Sequence, residues 1–196
     1  MRSIPGIVIH HPALTTAQIA AHPGQRFVEY IRAMHKAQGY KDVGYNYLIN
    51  NDGAGNYKAY DGRPDSWMGA HTYGYNEWLG ICVAYGMGTT PPQAQLQALS
   101  DLIAVLCKTY NIPIDRKHIR GHREFMPNAC PGDQLYAKLD YVVELAKGSK
   151  STAKVPPQTP PQDTSSEKHV SDIELRWGSG ASTKALLIDD TTYIPA

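Results

Sequence analysis

Residues 79–86 read LGICVAYG, and residues 90–93 read TPPQ. The first stretch is apolar almost throughout and rich in strand-forming residues, which predicts a strand covered on both faces, central in its sheet. The second opens a helix: Thr90 is placed to cap it, proline suits the first turn, and Gln93 stands at the capping-box position. Leu96, Leu99, Ile103, Leu106 and Tyr110 then recur at helical spacing and give that helix one apolar face, until Pro113 ends the region. A buried strand followed by an amphipathic helix predicts an α/β chain.

The flanking sequence extends this reading. IPGIVIH at 4–10 is short and β-branched, a second buried strand. Thr15 or Thr16 caps a short helical turn interrupted at Pro23 and Gly24. The next helix runs to about Gln38, with Phe27, Ile31, Met34 and Gln38 on one face and Val28 and His35 beside it. Gly39 supplies its stop. Tyr45–Ile49 is a strand, and a turn at Asn51, Asp52, Gly53 and Gly55 returns the chain through Tyr57–Tyr60 as a hairpin. Residues 133–147 form a last helix, with Leu135, Leu139, Val142, Val143 and Ala146 inward. Strands separated by helices, with one local hairpin, predict a mixed α/β fold: a central mixed β-sheet flanked by helices.

The composition changes near Gly148. One domain is expected over 1–147, then a Pro/Ser/Thr-rich linker over 148–169 that has too few aliphatic residues to bury a core. Residues 170–196 alternate at Ile173, Leu175 and Trp177 and resume apolar character at 186–188. They read as a short C-terminal β-hairpin-like segment, too small to be a domain alone.

Bulk properties exclude several functions. The 196 residues are 42% hydrophobic and 19% charged, with a formal net charge of +1. A nucleic-acid binder would ordinarily carry a basic surplus, so no nucleic-acid partner is expected. No apolar run reaches 18 residues, so no membrane insertion is expected. The start, MRSIPGIVIHHP, lacks the apolar stretch and cleavage site of a signal peptide. No sequence feature specifies an oligomeric state. Cys82 and Cys107 lie among apolar neighbours and read as small core residues. Cys130 stands in the polar loop NACPG, where burial is not expected.

Three fragments carry candidate chemistry: His10-His11 at a strand end, Gly121-His122-Arg123-Glu124, and Cys130-Pro131-Gly132. A hydrolytic zinc site needs three protein ligands and one open position, and imidazole and thiolate are both good zinc donors. Taken singly, a strand histidine is ordinarily a hydrogen-bonded core residue, and a lone loop cysteine is ordinarily a plain thiol. The spacing alone decides between neither pair of readings.

The ordered motifs add weight. IVIHH at 7–11, DVGYNYLIN at 42–50, GAHTYGYNEWLGICVAYG at 69–86 and GHREFMPNACPG at 121–132 resemble the motif set of the type 2 N-acetylmuramoyl-L-alanine amidases. That family includes phage endolysins, bacterial autolysins and the peptidoglycan recognition proteins. The resemblance runs from about Ile4 to about Leu145 and is nearest to the small phage amidases. It implies a peptidoglycan recognition protein-like fold. It also implies Zn2+-dependent hydrolysis of the amide between the muramic acid lactyl group and L-alanine in bacterial peptidoglycan.

Carried onto this chain, the resemblance implies zinc ligands at His10, His122 and Cys130. Neighbouring strand side chains point to opposite faces, which fits His10 rather than His11 as the ligand. Tyr45 matches the tyrosine beside the zinc-bound water. Asn128 stands where relatives often carry Lys or Thr to hold the oxyanion, and it equally suits a turn before Cys130. His11, Trp67, His71 and Asn76 are implied to line the substrate site, with Tyr73 beside them, while Trp78 reads as loop packing. Arg123 and Glu124 read as a local ion pair, and Gly44 and Gly121 as points of close backbone approach. His22, His35 and His118 read as structural. The expected setting is a phage or prophage endolysin, held in the host cytoplasm until release to the cell wall. Two other readings are a non-catalytic peptidoglycan-binding module, which would characteristically lack the cysteine, and a wall-recycling amidase acting on muropeptide fragments.

Overall fold

A computed structural model describes residues 2–149. From residue 150 onward, the expected linker and the hairpin-like segment at 170–196 lie outside the described residues.

The elements run β1 (Ile7–His10), α1 (Thr16–Ala20), α2 (Gln25–Ala37), β2 (Tyr47–Asn51), β3 (Tyr57–Asp61), β4 (Leu79–Val83), α3 (Gln93–Tyr110), β5 (Ile119–Gly121), a 3-10 turn (His122–Glu124), α4 (Asp133–Tyr136) and α5 (Leu139–Gly148). The sheet order is β3-β2-β4-β1-β5. Only the β2–β3 hairpin is antiparallel, and β4 pairs in parallel with both β1 and β2. The mixed sheet is therefore present, and β4, buried at every residue, is its middle strand.

Strand alternation sorts the core into two layers. Ile7, Ile9, Tyr47, Ile49, Leu79, Ile81 and Val83 pack against α3 and α5. Leu48, Cys82, Tyr45 and Val43 pack with Phe27, Val28 and Ile31 of α2 and with Leu14 and Ile19 around α1. No helix among the described residues is long and apolar enough to cross a membrane.

Several boundaries differ from the sequence reading. β1 begins at Ile7 rather than Ile4, since Pro5 has no N–H to give a ladder. The inward face of α2 is Phe27, Val28, Ile31 and His35, a rotation from the expected stripe that leaves Gln38 exposed at the C-cap. Thr15 does cap α1, with the reciprocal Gln18 bond of a capping box. Thr90 does not cap α3. The extended residue before that helix is Pro92, with no side-chain cap, and Pro92 C=O accepts from Gln95 and Leu96 N–H. The last helix is two pieces, α4 and α5, parted at Ala137–Lys138. β5 was not anticipated, because three residues are too few for a period to show.

Candidate metal centre

The register of two adjacent parallel strands builds the site. Ile9 of β1 stands opposite Gly121 of β5, so the next residues, His10 and His122, leave the sheet side by side at its carboxyl edge. Their rings lie 4.6 Å apart, and both residues are fully buried. The chain after His122 turns back and brings Cys130 to the same place. Cys130 Sγ is 3.6 Å from His10 Nδ1 and accepts the His11 N–H at 3.4 Å. The donor atoms of His10, His122 and Cys130 all lie within 4.8 Å of one another. Cys130 is 1% exposed, which corrects the expectation of an unburied loop thiol. Its sulfur faces His10, while Pro127 and Ala129 of the same loop are exposed.

The histidine tautomers follow from their neighbours. His71 Nε2 lies 3.2 Å from the Trp78 carbonyl, which can only accept, so Nε2 carries the proton. His71 Nδ1 then accepts, and His10 Nε2 donates to it at 3.0 Å. That leaves the His10 Nδ1 lone pair facing Cys130. His122 Nε2 lies 3.1 Å from Met126 Sδ, a weak acceptor, which assigns the proton there and turns Nδ1 to the cluster. Burial, then the neighbouring His122, His71 and His11, holds His10 well below the usual imidazole range, so it is a neutral donor.

This donor set fits zinc. With bonds of about 2.0–2.3 Å, tetrahedral neighbours stand about 3.5 Å apart, close to the His10–Cys130 separation of 3.6 Å. Two imidazoles and one cysteine sulfur would leave a tetrahedral ion a fourth position for a non-protein ligand.

Around the cluster, the expected site residues fall into different places. Tyr45 is buried, with its ring 5.1 Å from that of His10. His71 is enclosed. It is 1% exposed, wedged where a Cβ on Gly69 or Gly80 would strike its ring, and it holds His10 from behind. His11 is buried too, with its ring on Tyr85, and its Nδ1 has no hydrogen-bond partner among the described residues. Both histidines are buried like the triad beside them. Asn76 Oδ1 accepts the N–H groups of His71 and Thr72, each at 2.8 Å, so it closes the loop that carries His71. Trp67 is half-buried on the preceding loop, and Tyr73 is 57% exposed.

Asn128 shapes the cysteine loop: its Oδ1 accepts Cys130 N–H at 2.8 Å and its amide donates to Met126 C=O at 3.1 Å. Arg123 and Glu124 are not a pair, since adjacent residues of a helical turn point apart. Arg123 binds Asp133 at 2.6 Å and the carbonyls of Cys130 and Ala129, and it covers the Tyr136 ring. Glu124 takes Gly121 N–H, Arg116 and Arg120, anchoring the chain just before His122. Gly121 is a close approach as expected, with Tyr136 and Pro131 where a Cβ would stand. Trp78 packs with Tyr75 and Phe125, as read.

Sequence reading missed three supports. Asn46, fully buried, bridges β4 through Gly80 N–H and the 63–64 backbone. Arg63 is 7% exposed and binds three carbonyls. His35 is no bystander, because its ring lies 5.5 Å from that of Tyr45. A histidine on the inward face of a helix was the one available signal for it.

The family model described as N-acetylmuramoyl-L-alanine amidase matches residues 1–133. The endolysin of Escherichia phage T7 is 35% identical over 126 residues, covering 59% of this chain and 77% of that protein. A peptidoglycan-recognition protein of Drosophila melanogaster is 32% identical over 135 residues, covering 68% of this chain and 71% of that protein. Among solved structures, Drosophila PGRP-LB superposes with a TM-score of 0.58 at 28% identity, covering 71% of this chain and 81% of that one.

Proposed function

This chain belongs to the N-acetylmuramoyl-L-alanine amidase family and is an amidase of that class; from that premise we propose that it is a zinc-dependent peptidoglycan hydrolase of the endolysin type. The bond cut is the amide between the muramic acid lactyl group and L-alanine. The observation that carries this reading is the buried triad of His10, His122 and Cys130, with donor atoms within 4.8 Å of one another.

Those three residues would hold the ion. Zinc bound there supplies Lewis acidity, making a water acidic near neutral pH and polarising a carbonyl. The protein's own contributions are orientation and charge placement. His71 and the Trp78 carbonyl fix the His10 tautomer. The His11 N–H donated to Cys130 Sγ favours the thiolate. To Tyr45, whose ring lies 5.1 Å from that of His10, we assign the hydrogen bond to the oxygen that gains charge as the amide carbon becomes tetrahedral. Asn128 acts first by holding the Cys130 loop. The amide C–N bond breaks with the hydroxyl of the attacking water kept on the lactyl carbonyl carbon and its proton taken by the alanine nitrogen, which leaves as an amine.

A cleft of about 560 Å³, lined in part by Thr16, Ile19, Pro23, Tyr57, Tyr85 and Gln95, opens along the same carboxyl edge of the sheet. We assign it to the stem peptide, and the aromatic faces of Trp67 and Tyr73 to the substrate's flank. The setting that follows is the bacterial cell wall, reached after host-membrane permeabilisation. Residues 1–147 are proposed as the catalytic unit, with 148–169 as linker and 170–196 as an appendage.

Digestion of purified peptidoglycan tests this, with and without chelator, scoring new amino termini against new reducing ends. New alanine termini that vanish on chelation and return with zinc are expected. Reducing ends would overturn the reading in favour of a glycosidase. Wall binding without products would mean a recognition module. Turnover of soluble muropeptides but not of polymer would mean a recycling amidase.

A further inference from the structure

The helix α2 histidine has no place in the proposed chemistry, yet it is built into it. His35 is 3% exposed, and its Nδ1 accepts the N–H of Gly44 at 2.9 Å. Gly44 immediately precedes Tyr45, and the Gly44 carbonyl in turn accepts the N–H of Ala70, the neighbour of His71. The preceding residues are pinned from the other side. Arg63 donates to the carbonyls of Val43 at 2.9 Å and Asp42 at 3.2 Å. It also donates to Met68 at 3.1 Å. The Asp42 carboxylate accepts Val43 N–H at 2.7 Å. The His35 ring also lies 5.5 Å from the Tyr45 ring, and the Tyr45 ring lies 5.1 Å from His10. A buried backbone N–H must find an acceptor, and here the acceptor comes from a side chain on another element.

We propose that His35 is a positioning residue for the reaction: by accepting the Gly44 N–H and packing on Tyr45, it sets where the Tyr45 phenol stands relative to His10. This rests on the amidase reading above. Burial, with the Arg63 guanidinium second, lowers the His35 imidazole to about 3, so the acceptor lone pair stays available throughout the neutral range. A displacement near 1 Å at a reacting group is worth on the order of 100-fold in rate, and a misplaced Tyr45 would lower turnover while leaving substrate affinity and metal uptake alone.

The test compares His35→Asn with His35→Gln in the full chain loaded with zinc. The Asn amide oxygen stands where Nδ1 stood, whereas the Gln oxygen stands near Nε2, so only the first keeps the Gly44 acceptor. Expected are a kcat for H35N within about threefold of wild type and a fall of about 10- to 100-fold for H35Q. Both should show KM within about twofold of wild type and unchanged zinc uptake by chelator competition. In a Tyr45→Phe background, H35Q should cause little further loss, since coupled residues are not additive. Nitrogen chemical shifts of the metal-free protein should show His35 protonated on Nε2 and not Nδ1. Equal losses for H35N and H35Q, or the same loss with and without the Tyr45 hydroxyl, would reduce His35 to a core residue and overturn the proposal. If Tyr45→Phe alone keeps full turnover, the positioning proposal falls with the Tyr45 role. Cleavage that still depends on zinc would then leave the metal reading standing. Should H35Q not fold, H35N with the nitrogen shifts and the Gly44 amide exchange rate decides: a fast-exchanging Gly44 N–H in wild type would overturn the proposal.

Discussion

His10 Nε2 lies 3.0 Å from His71 Nδ1, and the opposite nitrogen of His71 lies 3.2 Å from the Trp78 carbonyl oxygen. A backbone acceptor thus dictates, through one imidazole, which nitrogen of the next carries a lone pair. Losing such an outer partner typically costs about 10- to 100-fold in metal affinity. His71→Ala is therefore expected to weaken zinc binding by about 10- to 100-fold, measured by competition with a chromophoric chelator. His71→Phe, which refills the slot between Gly69 and Gly80 but cannot accept, should show the same loss. Wild-type affinity in the Phe variant would remove His71 from the relay.

Cys130 supplies the only thiolate donor of the triad and receives two local supports, the His11 N–H on its sulfur and the Asn128 carbonyl oxygen on its own N–H. Cys130→Ala should abolish stoichiometric zinc uptake and peptidoglycan cleavage, with circular dichroism unchanged. Full cleavage by C130A would sink the ligand assignment.

How much of this was legible beforehand depends on the range of the forces involved. The central strand 79–83 and the long helix 93–110 were readable because burial on both faces and helical period leave continuous signatures over many residues. The stripe of α2 is rotated because Val28 and His35 are buried, while Met34 packs on the core only from its edge and Gln38 is exposed; a buried histidine weakens the hydrophobic period it belongs to. The burial of Cys130 is hidden by the polar character of NACPG, since an inward side chain in an irregular loop has no periodic trace. The depth of His71 is not legible in its motif, because adjacency in a motif says nothing about burial. Only the two glycines at 69 and 80, whose missing Cβ atoms admit its ring, hinted at enclosure. His35 and Arg63 act on Gly44 and its neighbours from remote positions, and a single sequence does not encode such pairings locally.

Asn128 stands where an oxyanion donor would be sought, but its carbonyl oxygen and one amide hydrogen are engaged inside the loop. Asn128→Asp keeps the oxygen that holds Cys130 N–H and loses the amide donor. If the loop role dominates, N128D should retain turnover within about tenfold while N128A loses more, along with zinc affinity. An essential oxyanion donor would instead make both variants fall by about 10²–10³ in kcat with zinc affinity intact. Steady-state kinetics beside a zinc titration separates the two.

Asp61, half-buried at the end of β3, is raised to about 6 by burial and by the Asp65 charge, and one of its oxygens has no hydrogen-bond partner among the described residues. A carboxyl raised in the folded state binds more protons folded than unfolded between about 4 and 6, so stability falls as pH rises through that window. Asp61→Asn should raise the melting temperature at about pH 7 and leave it unchanged near pH 4. An equal shift at both pH values would mean that packing, not ionisation, is responsible.

His35 should act in the opposite sense. Its folded value is lowered to about 3, while an unfolded histidine titrates near 6.5. Between those values the unfolded chain binds the extra proton, so stability is intact above about 6.5 and is lost as pH falls toward 3. One such group costs about 2 kcal/mol on going from pH 7 to pH 5. His35→Asn removes the titration while keeping the Gly44 acceptor. In the metal-free protein its urea-unfolding free energy should match wild type at pH 7 within about 1 kcal/mol and exceed it by about 2 kcal/mol at pH 5. Parallel pH profiles for the two proteins would show that His35 is protonated equally in both states, against its burial behind Tyr45.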